Sequence, residues 1–388
     1  MDYLFQTGHG KGVARAEINA VLGDVIIDDV EDGVVLTADL KDPRAFLDRM
    51  GGIVRITQVL QSGPAAMPLN FDEWVTKALK ENAKGTKLRF GLSMHPKSDN
   101  VLKKILNAAK NNLKTSLSHV RFVNKDFQNL SSVQAWHERL LDADAIELQL
   151  FKSEKKWYLC KTLAIQDFEW YSHRDYDRPS RSAKNGMFPP KVAQELINIA
   201  QLPEGTIYDP FCGSGTVLQE AWLMGFTVQG SDLSESCVEG TKENMNWIKD
   251  EARLDAVVPY VFHKDATLLT ADDLPKESFA IVSETTLGPP LLKPLNAHEM
   301  VQLQAELEAL YEAFFANLKK IAPAGTVMVF TAPYHRMANN ERLFLPHLPA
   351  ILKKYTEILP LSTHERPSLF FERKDQMVSR EIWKVKIG

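Results

Sequence analysis

The chain has 388 residues, 44% of them hydrophobic and 25% charged, with a formal net charge of −4. This is a globular balance spread over more than one typical domain. There is no apolar run of about 18 residues, so no spanning helix is expected. The start, MDYLFQTGHGKG, lacks the basic-then-apolar pattern of a secretory signal. Cys160, Cys212 and Cys237 are widely spaced, which argues against a disulfide framework or a metal site and favours a metal-free cytoplasmic protein. The charge is unevenly distributed. Residues 77–125 hold twelve basic and two acidic side chains, a net of +10 that leaves −14 for the rest. Such asymmetry points to a polyanion partner for that segment, with a solvated lysine-rich surface as the alternative.

In chain order, KGVARAEINAVLG has helical spacing, VIIDDVEDGVVLTA reads as two strands around an acidic turn, and PRAFLDRMGG as a helix stopped by Gly51 and Gly52. The strand IVRITQVL follows, then QSGPAAMPLN (Gln61–Asn70) as a linker. A helix (FDEWVTKALKENA), a strand (KLRFGLSM) and a second helix (NVLKKILNAAKNNLKT) come next. In the second helix Val101, Leu102, Ile105, Leu106, Ala109 and Leu113 are predicted to face the core. Lys103, Asn107, Lys110 and Lys114 share the polar face. HVRFV and IELQLFKSEKKWYLCKTLAI read as strands. From Phe188 onward strands alternate with helices, which predicts an α/β, doubly wound, mostly parallel sheet with ligands at the carboxyl ends of its strands.

Three such ends carry acids. In DPFCGSGT the first strand ends at Asp209; Pro210, Phe211, Gly213, Ser214 and Gly215 form a tight turn, and Thr216 opens a helix. A dinucleotide fingerprint would need a third glycine where Leu218 stands, and Asp209 would repel a pyrophosphate. The same carboxylate would attract an ammonium group, such as that of S-adenosylmethionine. Asp232, followed by Leu233, ends the next strand and can accept from ribose hydroxyls. Asp265, followed by Ala266, ends the third and can accept from the adenine amine. Each acid alone could be a cap or turn residue; all three together give a more specific signal for a Rossmann-like S-adenosylmethionine site.

RDYDRPSRSAKNGMFPPKVAQELINIA (Arg174–Ala200), running into DPFCGSGTVLQEA, resembles the THUMP-containing tRNA guanosine methyltransferases that modify the guanine 2-amino group. HVRFVNKDFQNLSS, WYLCKTLAIQDFEWYSHRDYDRP and FFERKDQMVSREIWKVKI extend the resemblance. It implies an N-terminal ferredoxin-like domain (1–60), a THUMP-like RNA-binding domain (61–167), a connector (168–187) and a methyltransferase domain (188–388). It also implies S-adenosylmethionine as donor and tRNA as partner, with a monomer expected. GMFPPK would lie over the cofactor, with Phe188 or Pro189 near its methionyl end. Two departures stand out: Arg181-Ser182 replace the family's Arg-Asp, and SETTLGPP (Ser283–Pro290) replaces its Asp/Asn-Pro-Pro-aromatic loop.

An exocyclic amine is a weak nucleophile because its lone pair conjugates with the ring. Acceptors that take its hydrogens direct that lone pair. Two registers are open. Pro289-Pro290 can match the proline pair, which puts Gly288 at the acid position. Alternatively Glu284 matches the acid, Thr285 and Thr286 the prolines, Leu287 the aromatic and Gly288 the glycine that often follows it. The second is preferred, because the acceptor must sit at the strand end. The candidate catalytic residues are therefore Glu284, Thr285, Leu287 and Gly288. The candidate RNA contacts are Lys103, Lys110, Lys114 and Arg121, with Arg174, Arg178, Arg181 and Lys184 in the connector. For the connector arginines the competing reading is ion pairing with Asp175 and Asp177. The rival functions are a DNA amino-methyltransferase and a catalytically inactive module that binds tRNA and S-adenosylmethionine.

Overall fold

The computed structural model describes residues 1–66, 70–181, 188–289, 295–336, 341–372 and 376–388. They form two compact units: Met1–Arg15 with Leu22–Phe168, and Ala16–Val21 with Glu169–Gly388.

The elements up to Ile165 are β1 (Asp2–Thr7), α1 (Lys11–Leu22), β2 (Ile26–Val30), β3 (Gly33–Thr37), α2 (Pro43–Asp48), β4 (Ile53–Pro64), α3 (Phe71–Asn82), β5 (Lys87–His95), α4 (Asp99–Leu113), β6 (His119–Phe122), α5 (Ser132–His137), β7 (Ala145–Lys152) and β8 (Lys156–Ile165). Their strands make one sheet in the order β2-β3-β1-β4-β8-β7-β5-β6. The first four residues of the expected linker are strand: β4 continues to Pro64, which pairs with Lys156. β4 also pairs with β1, so the segments before and after residue 60 share a single sheet. Inside it, Arg55 of β4 and Glu147 of β7 form a buried ion pair at 3.2 Å, and the Thr162 hydroxyl donates to Glu147 at 2.6 Å.

On α4 the predicted apolar stripe is buried at Leu102, Ile105, Leu106, Ala109 and Leu113. Val101 is not; it is 36% exposed. At 3.6 residues per turn it lies roughly 90° from the centre of the stripe, at its margin. Replacing Leu106 by Ala is expected to destabilise the first unit by ~2–5 kcal/mol. Replacing Val101 by Ala should change stability by no more than ~0.5 kcal/mol. Urea unfolding of the two variants checks this assignment of faces.

The second unit contains α6 (Phe168–Tyr176), α7 (Pro190–Ala200), β9 (Thr206–Asp209), α8 (Thr216–Leu223), β10 (Thr227–Asp232), α9 (Glu235–Glu251), β11 (Tyr260–His263), β12 (Phe279–Glu284), α10 (Ala297–Ile321), β13 (Val327–Arg336), β14 (Arg342–Leu343), α11 (Leu348–Tyr355), β15 (Thr356–Ile358), β16 (Leu369–Phe371) and β17 (Val378–Ile387). The sheet runs β11-β10-β9-β12-β13-β17-β15, parallel from β11 to β13, with β17 antiparallel beside β13. The order reverses between β9 and β12, and the carboxyl ends at such a switch point flank a ligand crevice. Phe314, Phe315 and Leu318 of α10 pack on Met328, Phe330 and Trp383 of the sheet and hold that face shut.

Candidate functional site

Asp209, the last residue of β9, is buried. Its Oδ1 accepts from the Ser283 hydroxyl at 2.6 Å and from the Phe211 backbone at 3.0 Å. Burial dominates these hydrogen bonds and pushes the carboxyl up to about 8, with Asp232 and Glu284 adding like charge. An ammonium beside it would return it to the ionised form. Gly215 has φ +81°, and a Cβ there would stand 2.7 Å from Thr241 Cγ2, so the turn admits only glycine. Thr241 Oγ1 donates to the Gly213 carbonyl at 2.8 Å, and the Gly213 N–H donates to Asp232 Oδ2 at 2.8 Å. The turn is thus held from α9 and from β10.

Asp232 also accepts from the Ser234 N–H at 2.9 Å. Leu233, next to it, is 68% exposed and offers an apolar surface that a flat ring could cover. Asp265 caps a short 3-10 turn through the Thr267 N–H and hydroxyl, with Ala266 buried behind it. The buried acid, the glycine turn and the exposed leucine fit the ammonium, backbone and adenine of S-adenosylmethionine. Among the described residues no cluster of His, Cys, Asp and Glu could hold a metal ion, and no helix is long and apolar enough to cross a membrane.

Glu284 ends β12, and its Oε1 accepts from Arg380 Nε of β17 at 2.5 Å. The arginine side chain is 4% exposed and the glutamate 19%. The Arg380 guanidinium also lies 5.5 Å from the Phe188 ring centroid. Thr285 departs from its expected role. It is buried, donates to the Thr331 carbonyl at 2.6 Å and pairs with the Tyr311 hydroxyl at 2.5 Å. Its single proton goes to Thr331, so Tyr311 is the donor to it. Thr285 anchors the loop to β13 and α10 and presents nothing to a substrate. Leu287 is half-buried, and Gly288, at φ +84°, lies against Leu303 of α10. Pro290 lies outside the described residues.

The connector arginines also differ from expectation. Arg174 is buried and makes two hydrogen bonds to Glu220 of α8, at 2.8 and 3.0 Å. Arg178 is buried and donates to Thr216 Oγ1 at 2.6 Å. Neither is placed to meet a phosphate. Their partners lie about 40 residues further along the chain, so local charge reading missed them. Arg181 is exposed, 5.7 Å from the Tyr176 ring; Lys184 lies outside the described residues. Pro189 caps α7, and Phe188 is buried. Sequence reasoning also missed Asn244 of α9. Its side chain bonds the Ser180 N–H (2.9 Å) and carbonyl (2.8 Å) as well as the Ser214 carbonyl (2.9 Å), and so links the connector to the glycine turn. A Cβ on Gly240, one helical turn earlier, would meet Ser180 Oγ at 2.2 Å. A mid-helix glycine four residues before a buried asparagine is the signal that could have found this contact.

In the first unit, Lys103 of α4 and Lys114, which caps its C-terminus, are exposed and Lys110 of α4 is half-buried. Lys103 and Lys110 stand 5.1 and 5.4 Å from the rings of Phe127 and Phe122. Arg121 is exposed, 3.8 Å from Glu138.

Comparison with known proteins bears on this site. Residues 178–340 match the model described as "RMKL-like, methyltransferase domain", and residues 70–243 match one described as "DNA methylase". The chain is 36% identical over 104 residues to the tRNA (guanine(10)-N2)-dimethyltransferase of Methanothermobacter thermautotrophicus, covering 24% of this chain and 31% of that protein. It is 29% identical over 137 residues to the enzyme of the same name from Pyrococcus abyssi, covering 35% and 39%. The matches thus span less than two fifths of these relatives. Among solved structures, TrmN from Thermus thermophilus superposes over 100% of both chains with a TM-score of 0.57 at 16% identity. A possible methylase from Clostridium difficile 630 gives 0.54 at 13% identity, over 100% of this chain and 99% of that one. The fold is that of an S-adenosylmethionine-dependent methyltransferase.

The raised value of Asp209 has a readable consequence. The folded chain keeps a proton there between pH 3.8 and about 8 that the unfolded chain gives up. Stability associated with the neutral form is therefore complete below pH 3.8 and is lost as pH rises through about 8. Binding of S-adenosylmethionine should release up to one proton within this window. Calorimetry in two buffers of different ionisation enthalpy reads that release, and Asp209→Asn should abolish it.

Proposed function

We propose that this protein transfers a methyl group from S-adenosylmethionine to the exocyclic 2-amino group of a guanosine in tRNA. The observation that carries the reading is the set of groups at the switch point: the glycine turn with Asp209 and Asp232, and Glu284 at the end of the neighbouring strand. The names of the curated relatives support the choice of tRNA guanine. In this reading residues 1–60 and 61–167 act as ferredoxin-like and THUMP-like parts that grip the RNA, with the α4 lysines on phosphates.

When bound, S-adenosylmethionine supplies a methyl group on a sulfonium, whose carbon–sulfur bond breaks with its electron pair left on sulfur. Asp209 holds the methionyl ammonium and Asp232 the ribose, with Asp265 and Leu233 at the adenine. Glu284 accepts an N–H of the guanine amine and turns the nitrogen lone pair out of conjugation. Once the nitrogen carries the methyl group, its surplus proton passes to solvent. Positioning is the main task, because the methyl group arrives already activated. A DNA amino-methyltransferase is the second reading, favoured by the match to a model described as a DNA methylase.

Incubation with labelled S-adenosylmethionine and bulk unmodified tRNA, followed by nucleoside analysis, should yield N2-methylguanosine. Glu284→Ala should reduce that product by roughly 100-fold or more while both ligands still bind. Label in duplex DNA instead would select the second reading. No transfer to any nucleic acid, with binding intact, would leave a module that only binds. Replacing Lys103, Lys110 and Lys114 together by Ala should weaken tRNA binding. It should also flatten the dependence of log affinity on log salt by up to about 2–3. Filter binding across a salt series measures both.

A further inference from the structure

The switch point places a buried cation where the proposed chemistry needs an acceptor. Glu284 is reached from the side by Arg380, which enters on the antiparallel strand β17. The arginine is the deeper partner and the glutamate the more exposed one. Arg380 Nε takes Oε1 at 2.5 Å, Gln376 Oε1 lies 3.4 Å from its Nη1, and Phe188 lies against the guanidinium. The guanidinium is therefore held from three directions. A carboxylate offers about four acceptor positions, so one that accepts from Nε can also accept from a further donor. Removing the arginine would take a buried cationic partner from a partly buried carboxylate, and a glutamate has one more rotatable bond than an aspartate with which to turn away.

We propose that Arg380 is the positioning residue for Glu284: it locks the carboxylate so that its outer face accepts the amine, and it compensates the charge. This rests on the proposed methyl transfer. It also explains how a longer acid can serve at this position. In the family that the sequence resembles, rigid prolines follow a short Asp or Asn. Here rigidity comes from two other sources, the Thr285 anchor below the loop and the Arg380 clamp beside it. The charge-compensated pair presents an acceptor closer to neutral than an isolated carboxylate would be. Arg380 touches neither the methyl group nor the amine in this scheme and acts only through Glu284.

The test uses the full chain, labelled S-adenosylmethionine and unmodified tRNA, with R380Q, R380K, E284Q and the double variant E284Q/R380Q. R380Q is expected to lower kcat at least tenfold, with the KM values for both substrates within about threefold of the parent. R380K, which keeps the charge but loses the Nε geometry, should recover part of the loss. The double variant should be no slower than E284Q alone, because the two residues act as one unit. Calorimetric binding of S-adenosylmethionine verifies that each variant is folded. A second readout is independent of turnover. The Arg380 Nε–H signal in 15N spectra, identified by its absence in R380K, should resist solvent exchange in the parent and lose that protection in E284Q. A parent active on tRNA with R380Q within twofold of it, or fully multiplicative losses in the double variant, overturns the proposal alone. So does an unprotected Nε–H in the parent. A folded parent that methylates no tRNA overturns the functional reading and this proposal with it.

Discussion

Asp209 sits at the end of a central strand with its carboxyl sealed from water, and two hydrogen bonds hold it there. One comes from the backbone that begins the glycine turn, the other from Ser283 on the adjacent strand. Ser283 immediately precedes Glu284. A single side chain therefore connects the turn that would bind the cofactor with the strand end that would orient the acceptor nucleophile. The two hydrogen bonds only partly offset the cost of burying a charge, which is why the group holds its proton to about pH 8. The remaining deficit is what a cationic ligand can relieve, so part of the energy of folding this corner is reserved for binding.

The parts of this arrangement that were legible in the sequence share one property: each is local. The glycine turn, the acids at three strand ends and the stripe on α4 are set by residues within a few positions of one another. The misreadings of the connector arginines involve partners far along the chain. Arg174 and Arg178 looked like phosphate contacts because nothing nearby could pair with them except Asp175 and Asp177. Their actual partners, Glu220 and Thr216, are on the helix after the glycine turn. Val101 was misplaced because a branched apolar residue beside Leu102 fits the stripe by composition and misses it by angle. The elements β14, α11 and β15 span only two to eight residues and carry too little periodicity to be read. The linker reading of Gln61–Asn70 relied on Gly63 and Pro64, yet β4 tolerates a proline at its final residue.

The threonines of SETTLGPP acquire a physical reason from the tertiary structure. A proline at position 285 could not donate to the Thr331 carbonyl or accept from Tyr311, and both groups would then be buried without that partner. The substitution exchanges a stiff ring for a hydrogen-bonded one-carbon anchor. Rigidity is kept by a different means. The same applies to the connector, where one asparagine amide takes both backbone groups of Ser180 and a carbonyl of the glycine turn. The threonine anchor has no sequence signature of its own, whereas the asparagine link is marked only by the mid-helix Gly240.

The clamp on Glu284 also has a consequence in time. Arg380 lies 96 residues after its partner. At roughly 5–20 residues per second, a ribosome needs about 5–20 s to make the intervening chain. During that interval β9, β10 and β12 can pair and the glycine turn can close, while the acid at the end of β12 still lacks its guanidinium. The cofactor end of the second unit can thus be finished on the nascent chain before the nucleophile end is. A newly made molecule would be able to hold its methyl donor before it could direct an acceptor toward it.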